Sequence, residues 1–271
     1  MTPPFASIAT SAAPWWVACA FAGAIVYGAW RVGSLKADGA IVALVIGVIA
    51  LRVQWAWGVY LVAWFACAAL LSRLGRARKL TRTQAIVAKN DRRDASQVLA
   101  NGGVFALCAL LILAMDRLNG SSEMAAALTI AAAGALAASG ADTWSTEIGT
   151  WLGGDPVSVR TGKRVPVGTS GAVTMNGSLG AIVGAFMLSA LAYGVSMIDA
   201  SAVWSVASAG VTGAAVDTLL GAWVQERRWC PVCQQFTERR SHCNGALTEH
   251  RTGIPRLDND AVNVMCSLTG A

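Results

Sequence analysis

The sequence predicts an all-α integral membrane protein, a polytopic bundle of about seven transmembrane helices with loops forming a site at the membrane surface. Three observations predict it. Of the 271 residues, 55% are hydrophobic and only 13% charged, where a soluble domain carries about 25% charged residues. Apolar runs recur along the chain, most of them near the roughly 20 residues that a bilayer demands. Gly and Ala are abundant, as close helix packing in lipid requires.

The runs fall at 14–30, 39–51, 54–72, 97–115, 124–141, 173–195 and 201–224. The second is short, and a tilted span, a re-entrant segment and a half-helix are all open for it. The first, around Trp15 and Trp16, lacks a basic leading region, so it reads as a span and not as a cleaved signal. Many of the 11 Trp residues fall near span ends and read as interfacial anchors. Segments 31–38, 73–96, 142–172 and 225–257 hold 19 of the 21 Lys and Arg residues, and Arg52 and Arg117 are the other two. The positive-inside rule then places the N-terminus outside, and the main loops and C-terminal tail in the cytoplasm of a plasma or inner membrane. The net charge of +6 is thus a topology signal and not a nucleic-acid footprint. Residues 1–271 read as one membrane domain, with a Cys/His-containing tail at 226–257.

Two acidic residues stand against this background. Asp142, in GADTWSTEIG, and Asp217, in AAVDTLLGAW, each close a long apolar run. A carboxylate in hydrocarbon costs about 2.5–3.5 kcal/mol on insertion scales, so such a group faces protein, water or a cation. Thr143 and Thr218 follow them and add hydroxyl oxygens. Hard oxygen donors suit Mg²⁺ rather than Zn²⁺. Asp217, Gly221 and Gln225 form an i, i+4, i+8 stripe; a structural partnership of Asp217 with Arg52 is the other reading, although Arg52 belongs to the far side. Glu147 lies five residues after Asp142, too far for one tight helical face, and reaches the same ion only if the helix unwinds at Gly140 or Gly149. Ser145 completes this polar cluster.

The connections add positive charge. In 73–96, Lys89, Arg92 and Arg93 sit before the fourth run, either as phosphate-collecting groups or as plain topology signal and attraction to anionic lipid. Gln97 and Asn101 share a helix face four residues apart, and pair with either another helix or a ligand. After Arg160, Lys163 and Arg164, the stretch Gly168-Thr169-Ser170-Gly171 leads toward the sixth run. A glycine-and-hydroxyl loop at a helix N-terminus is a phosphate site by geometry, although many helices begin with such residues only as caps. Asn176 extends the loop. No GxxxxGK[ST] motif is present.

The tail holds Cys230-Pro-Val-Cys233, Cys243 and both histidines of the chain, His242 and His250. The three thiols with one histidine can supply a four-ligand Zn²⁺ site; unliganded thiols and a redox pair are the alternatives. The segment 261–271 is too short to span. It either lies on the membrane or re-enters beside the site.

Together QVLANGG at 97–103, ADTWSTEIG at 141–149, VGTSGAVTMNG at 167–177, DTLLGAWVQ at 217–225, the CPVC/HC tail and DNDAVN at 258–263 resemble the transmembrane protein 19 family, also called domain of unknown function 92. The resemblance covers nearly the whole chain. It implies an activity like that of the plant phytyl-phosphate kinase of vitamin E synthesis, which converts an isoprenyl monophosphate to the diphosphate. Related lipid kinases use CTP, which suggests CTP as nucleoside triphosphate here by analogy. In that reading Asp142 and Asp217 hold Mg²⁺, with Glu147 assisting. Thr169, Ser170 and Gly171 cradle nucleotide phosphates, Arg160, Lys163 and Arg93 neutralise charge, and Gln97 and Asn101 orient a phosphate or the base. Members of that family often continue into a further membrane helix, and this sequence departs from that pattern by ending at Ala271, which bears on the C-terminal wall of the site. The rival readings are a transporter or flippase of a lipid phosphate or small anion, and a non-catalytic adaptor acting through the cysteine tail. No matched pair of broken helices in inverted halves favours the transporter, and the adaptor leaves the two aspartates unexplained.

Overall fold

The computed structural model describes residues 11–83, 92–117 and 121–271. Apolar, Ala- and Leu-rich runs become helices because no backbone donor can be left unpaired in lipid. In chain order these are α1 (Trp15–Arg31), α2 (Ala37–Val53), α3 (Trp55–Arg73), the short polar α4 (Arg76–Thr83), α5 (Ala95–Arg117), α6 (Ser122–Leu152), α7 (Met175–Gly194) and α8 (Val203–Trp223). A final helix, α9 (Asn259–Gly270), closes the chain. Each of the seven expected runs coincides with one helix. Five stretches (α3, α5, α6, α7 and Ala200–Trp223) are long and apolar enough to cross a membrane. Helices α1 and α2 have 17 residues each, about 25 Å at 1.5 Å per residue. Caps mark several starts: Ser121 accepts from the Met124 amide at 3.2 Å, Thr174 from Gly177 at 3.0 Å and Asp258 from Ala261 at 3.2 Å.

Helix α6 is the axis of the bundle. Its residues 132–141 are all buried, and α5, α7, α8, α9 and α3 pack around it. Small residues let the backbones approach, as lipid-embedded packing favours. The Trp64 and Leu188 side chains fill the space against Gly140, while Gly180 and Gly184 receive the Trp144 residue. Trp57 and Phe105 stack 5.0 Å apart in the core, and the Tyr60 hydroxyl donates to the Ala133 carbonyl at 3.1 Å. The anchoring role expected for tryptophan therefore suits exposed Trp15, Trp16 and Trp30 but not Trp57, which is buried.

The connections collect at the two ends of the bundle. At one end the Ala13 amide bonds the Leu51 carbonyl, and Arg52 donates to the Ala13 carbonyl while lying 4.7 Å from the Trp15 ring centre. At the other, Leu35 bridges to Arg93, Arg82 caps the end of α6 through the Thr150 carbonyl, and Asn176 bonds the Gly153 carbonyl. The grouping of basic connections expected from the sequence is thus met in space. Lys89 and Arg117's side chain lie outside what is described.

Between α6 and α7 a hairpin forms from β1 (Val157–Ser158) and β2 (Ala172–Val173). Between α8 and α9 the tail folds into β3 (Arg227–Cys230), β4 (Gln235–Thr237), β5 (Ser241–His242), β6 (Ala246–Leu247) and β7 (Glu249–Thr252). The sheet order is β4-β3-β7, all antiparallel, with a separate β5-β6 hairpin. The tail leaves and returns at one place, since the Ile254 amide bonds Val224 and the Glu226 amide bonds Leu257.

The segment 261–271 re-enters. Helix α9 inserts between α5, α6 and α8, with Ser267 donating to the Ala100 carbonyl at 3.3 Å and the Gly270 carbonyl pressed on Gly134. Val262, Cys266, Ser267 and Gly270 form its buried face. Burial of that face against glycine-bearing helices outweighs what a membrane-surface position would offer it.

Candidate functional site

Asp142 comes 20 residues into α6, about 30 Å along its axis, a length equal to the hydrocarbon thickness of a bilayer. Helix α8 crosses α6 through Gly210 on Ala137 and Gly213 on Ala138. That close crossing carries Asp217 to Asp142, and the two carboxyl groups lie within hydrogen-bond reach of each other. Asp217 Oδ2 is buried with no hydrogen-bond partner among the described residues. Helix α9 sets Cys266 beside both aspartates. Two neighbouring carboxylates repel unless a proton or cation lies between them. Hard oxygen donors with one oxygen unsatisfied fit Mg²⁺. The Thr143 and Thr218 hydroxyls donate to the carbonyls one turn back, at 2.9 and 3.1 Å, so each keeps only acceptor capacity.

A third carboxylate closes the site, one that the sequence reading missed. Glu238 comes from the tail, accepts from Ser170 Oγ at 2.6 Å and from Gln225 Nε2 at 2.9 Å, and acts electrostatically on Asp217. Nothing in TERRSHC separates it from an ordinary surface acid. The same neighbourhood holds Arg227, whose guanidinium lies 5.4 Å from the Phe236 ring centre and interacts with both Arg160 and Glu238. Arg160 and Lys163 are exposed on the β1–β2 connection. Arg164 pairs with Asp155 at 2.8 Å.

Several expected roles need correction. The 168–171 loop does not open α7, because β2 intervenes and the helix end is capped by Thr174. Gly168 and Gly171 have φ values of 89° and 71°, a region that favours glycine. A Cβ on Gly171 would sit 2.3 Å from the Ala222 backbone, so the loop is a docking turn on α8. The Thr169 hydroxyl is taken by the Pro166 carbonyl and the Ser170 hydroxyl by Glu238. Gln225 lies beyond the end of α8 at Trp223, so the i+8 position of the stripe is no longer helical.

Glu147 is also placed differently. Helix α6 is continuous through Gly140 and Gly149, and no unwinding brings Glu147 to Asp142. Its oxygens are taken by Lys79 Nζ at 2.5 Å and Ser72 Oγ at 2.7 Å, with Arg93 close enough to feel its charge. Asn101 donates to the Gln97 carbonyl and accepts from Ser139 Oγ, both at 2.9 Å, while Gln97 Oε1 accepts from the Asp94 amide. These amides have protein partners. Ser145 packs on Gly177 at the α6–α7 contact. The partnership of Asp217 with Arg52 is absent, since Arg52 bonds at the opposite end.

In the tail, the Cys230, Cys233 and Cys243 sulfurs and a His242 nitrogen all lie within 4.8 Å of one another. A tetrahedral zinc with bonds of about 2.3 Å spaces its sulfurs about 3.8 Å apart, so the set fits Zn²⁺. Left-handed backbone at Gln234 (φ 54°) and Asn244 (φ 62°) turns the chain after each cysteine pair or neighbour. The Cys230 thiol is drawn down to about 6, led by the Cys233 amide, and the Cys243 thiol is pushed up to about 11, led by its hydrogen bond with Cys233. His250 is not part of the set; its Nε2 lies 3.0 Å from the Gly253 carbonyl.

This architecture defines a class, the polytopic helical membrane protein with an acid pair where its apolar helices end. The chain belongs to the integral membrane protein family DUF92, whose profile matches residues 20–271. It is similar to Protein PGR of Arabidopsis thaliana, with 26% identity over 90% of this chain and 89% of that one. It is also similar to an uncharacterized membrane protein of Methanocaldococcus jannaschii, with 30% identity over 62% of this chain and 65% of the other. No solved structure matches it.

Proposed function

We propose that this protein is a membrane kinase that transfers a phosphoryl group from a nucleoside triphosphate, CTP by analogy with related lipid kinases, to an isoprenyl monophosphate. The observation that carries the reading is the Asp142–Asp217 contact with its unsatisfied Oδ2, at the level where apolar spans end. There a prenyl chain can stay in lipid while its phosphate reaches water. An acceptor phosphate oxygen forms the new bond to the terminal phosphorus, the bridging P–O bond of the donor breaks, and a nucleoside diphosphate leaves. The acceptor is already anionic, so no strong general base is required. Asp142 and Asp217 would hold Mg²⁺, which supplies charge neutralisation and phosphate alignment.

Arg160 and Arg227 attract the incoming triphosphate. Glu238 ties the 168–171 loop and Gln225 to the tail, so that the site has a fixed wall. A Zn²⁺ ion at Cys230, Cys233, His242 and Cys243 would hold the segment that carries Glu238, since that residue lies between the two halves of the ligand set. The positive-inside rule assigns this end of the bundle to the cytoplasm, where nucleotides are found.

Purified protein is screened with each nucleoside triphosphate against isoprenyl monophosphates of several lengths. The expected result is Mg²⁺-dependent formation of isoprenyl diphosphate in step with nucleoside diphosphate. Transport of a lipid phosphate across vesicles without diphosphate formation from any nucleotide would replace this reading with that of a flippase.

A further inference from the structure

A cavity of about 400 Å³ lies between α1, α2, α3 and α5, within the roughly 300–1,000 Å³ of small-molecule sites. Its walls are almost wholly apolar, with Ile25, Ile46, Val62 and Gly102 among them. Phe21, Ile25 and Val59 are exposed along its length, so it opens sideways between α1 and α3 at the level of lipid chains. One end differs. Arg93, Gln97 and Asn101 line it there.

Two observations say what this end receives. The Arg93 guanidinium rests 5.2 Å from the Phe65 ring centre, and among the described residues it is bonded to no carboxylate. Its acidic neighbour, Glu147, is shared with Lys79, so one carboxylate faces two cations and positive charge is in excess. A guanidinium and two amides at one end of an otherwise apolar chamber suit an amphiphile with an anionic head. Asn101 is bonded to Ser139, which lies three residues before Asp142 on α6, so this end adjoins the acid pair.

We propose that the cavity holds the hydrocarbon chain of a single-chain lipid monophosphate, with its phosphate directed to Arg93. This assignment rests on the substrate class proposed above, and its test does not require turnover. Full-length protein in nanodiscs is irradiated without nucleotide in the presence of a farnesyl monophosphate that carries a diazirine at the chain terminus. Adducts are expected in segments 21–25 and 51–59, at the end of the chamber away from Arg93. Unlabelled farnesyl monophosphate should suppress them, whereas farnesol and phosphatidic acid at the same concentration should not. Gly102→Leu fills the chamber, with space for its Cβ at 3.4 Å from Ile46. It should weaken farnesyl monophosphate binding about tenfold, the equivalent of losing burial of about two methylenes, and spare isopentenyl monophosphate. Val62→Phe makes the same test from another wall should Gly102→Leu fail to fold. Arg93→Gln should erase the preference for the phosphate over farnesol.

Adducts on α7 or α8, or equal suppression by phosphatidic acid, would show a chamber filled by bulk lipid and overturn the assignment. A protein that labels as expected yet transfers no phosphate keeps the cavity and loses the kinase. An active kinase that labels elsewhere keeps the reaction and loses the cavity.

Discussion

Around α6 the helices touch largely through backbone and methyl groups, whereas α1 and α3 leave a chamber between them that large side chains line. A Cβ added at Gly134 would meet the Gly270 carbonyl at 2.0 Å, and one at Gly213 would meet Ala138 at 2.4 Å. In the outer half, Phe21 meets Trp55 edge-on at 5.2 Å and an open chamber remains beside them. The contrast follows from what each half has to do. Two carboxylates from different helices stay in register only if the helices that carry them cannot slide, and small residues achieve that in lipid. A flexible chain needs room and a side opening, which bulky residues propped apart provide.

The largest expected effect falls on the tight half. Asp142→Asn and Asp217→Asn should each fold and insert, because a buried charge is removed rather than added. Each should lose phosphoryl transfer by orders of magnitude, measured as diphosphate formed per minute. Near-full activity in Asp217→Asn beside loss in Asp142→Asn would make Asp217 structural and dissolve the pair.

The second effect concerns the wall that the tail provides. Native protein should carry about one zinc per chain by metal analysis. Chelation should open the tail to protease and reduce activity, with helical circular dichroism unchanged. A preparation without zinc that was never exposed to chelator would leave only the thiol readings.

The packing contrast itself is tested next. Gly213→Val should cost about 1–3 kcal/mol through overpacking. Gly102→Ala should be within about 1 kcal/mol of neutral, since it adds helix propensity and meets no hard contact. Thermal unfolding in detergent compares them, and equal losses would erase the distinction between halves.

The smallest effects separate two ion pairs. Lys79→Met strands the half-buried Glu147 and should destabilise by roughly 2 kcal/mol, discounted for partial exposure. Asp155→Ala breaks the exposed pair with Arg164, whose side chains are 65% and 79% exposed, and should cost less than about 0.5 kcal/mol.

Much of this was readable before folding. Long apolar runs translate into helices because the period and length of the pattern are local properties, and each of the seven runs met its helix. Asp142 and Asp217 stood out because a charge in an apolar run has no cheap explanation. Glu147 did not, and its partner Lys79 comes from a connection 68 residues away, a pairing that no spacing rule encodes. Glu238 was hidden for the same reason. The 168–171 loop misled because glycine and hydroxyl residues serve both helix starts and docking turns, and only Ala222 against Gly171 shows which.

The sequence by itself determined the helical membrane architecture and the stretches in which basic and acidic residues stand out, because composition and charge act through local solvation. Only the tertiary structure decided that α9 packs between α5, α6 and α8, that Glu238 comes near enough to Asp217 to act on its charge, that His242 rather than His250 completes the thiol set, and that a chamber opens beside Arg93. Each of these depends on how helices cross. Crossing is set by the fit of small and large side chains from distant segments, which no single run of sequence contains.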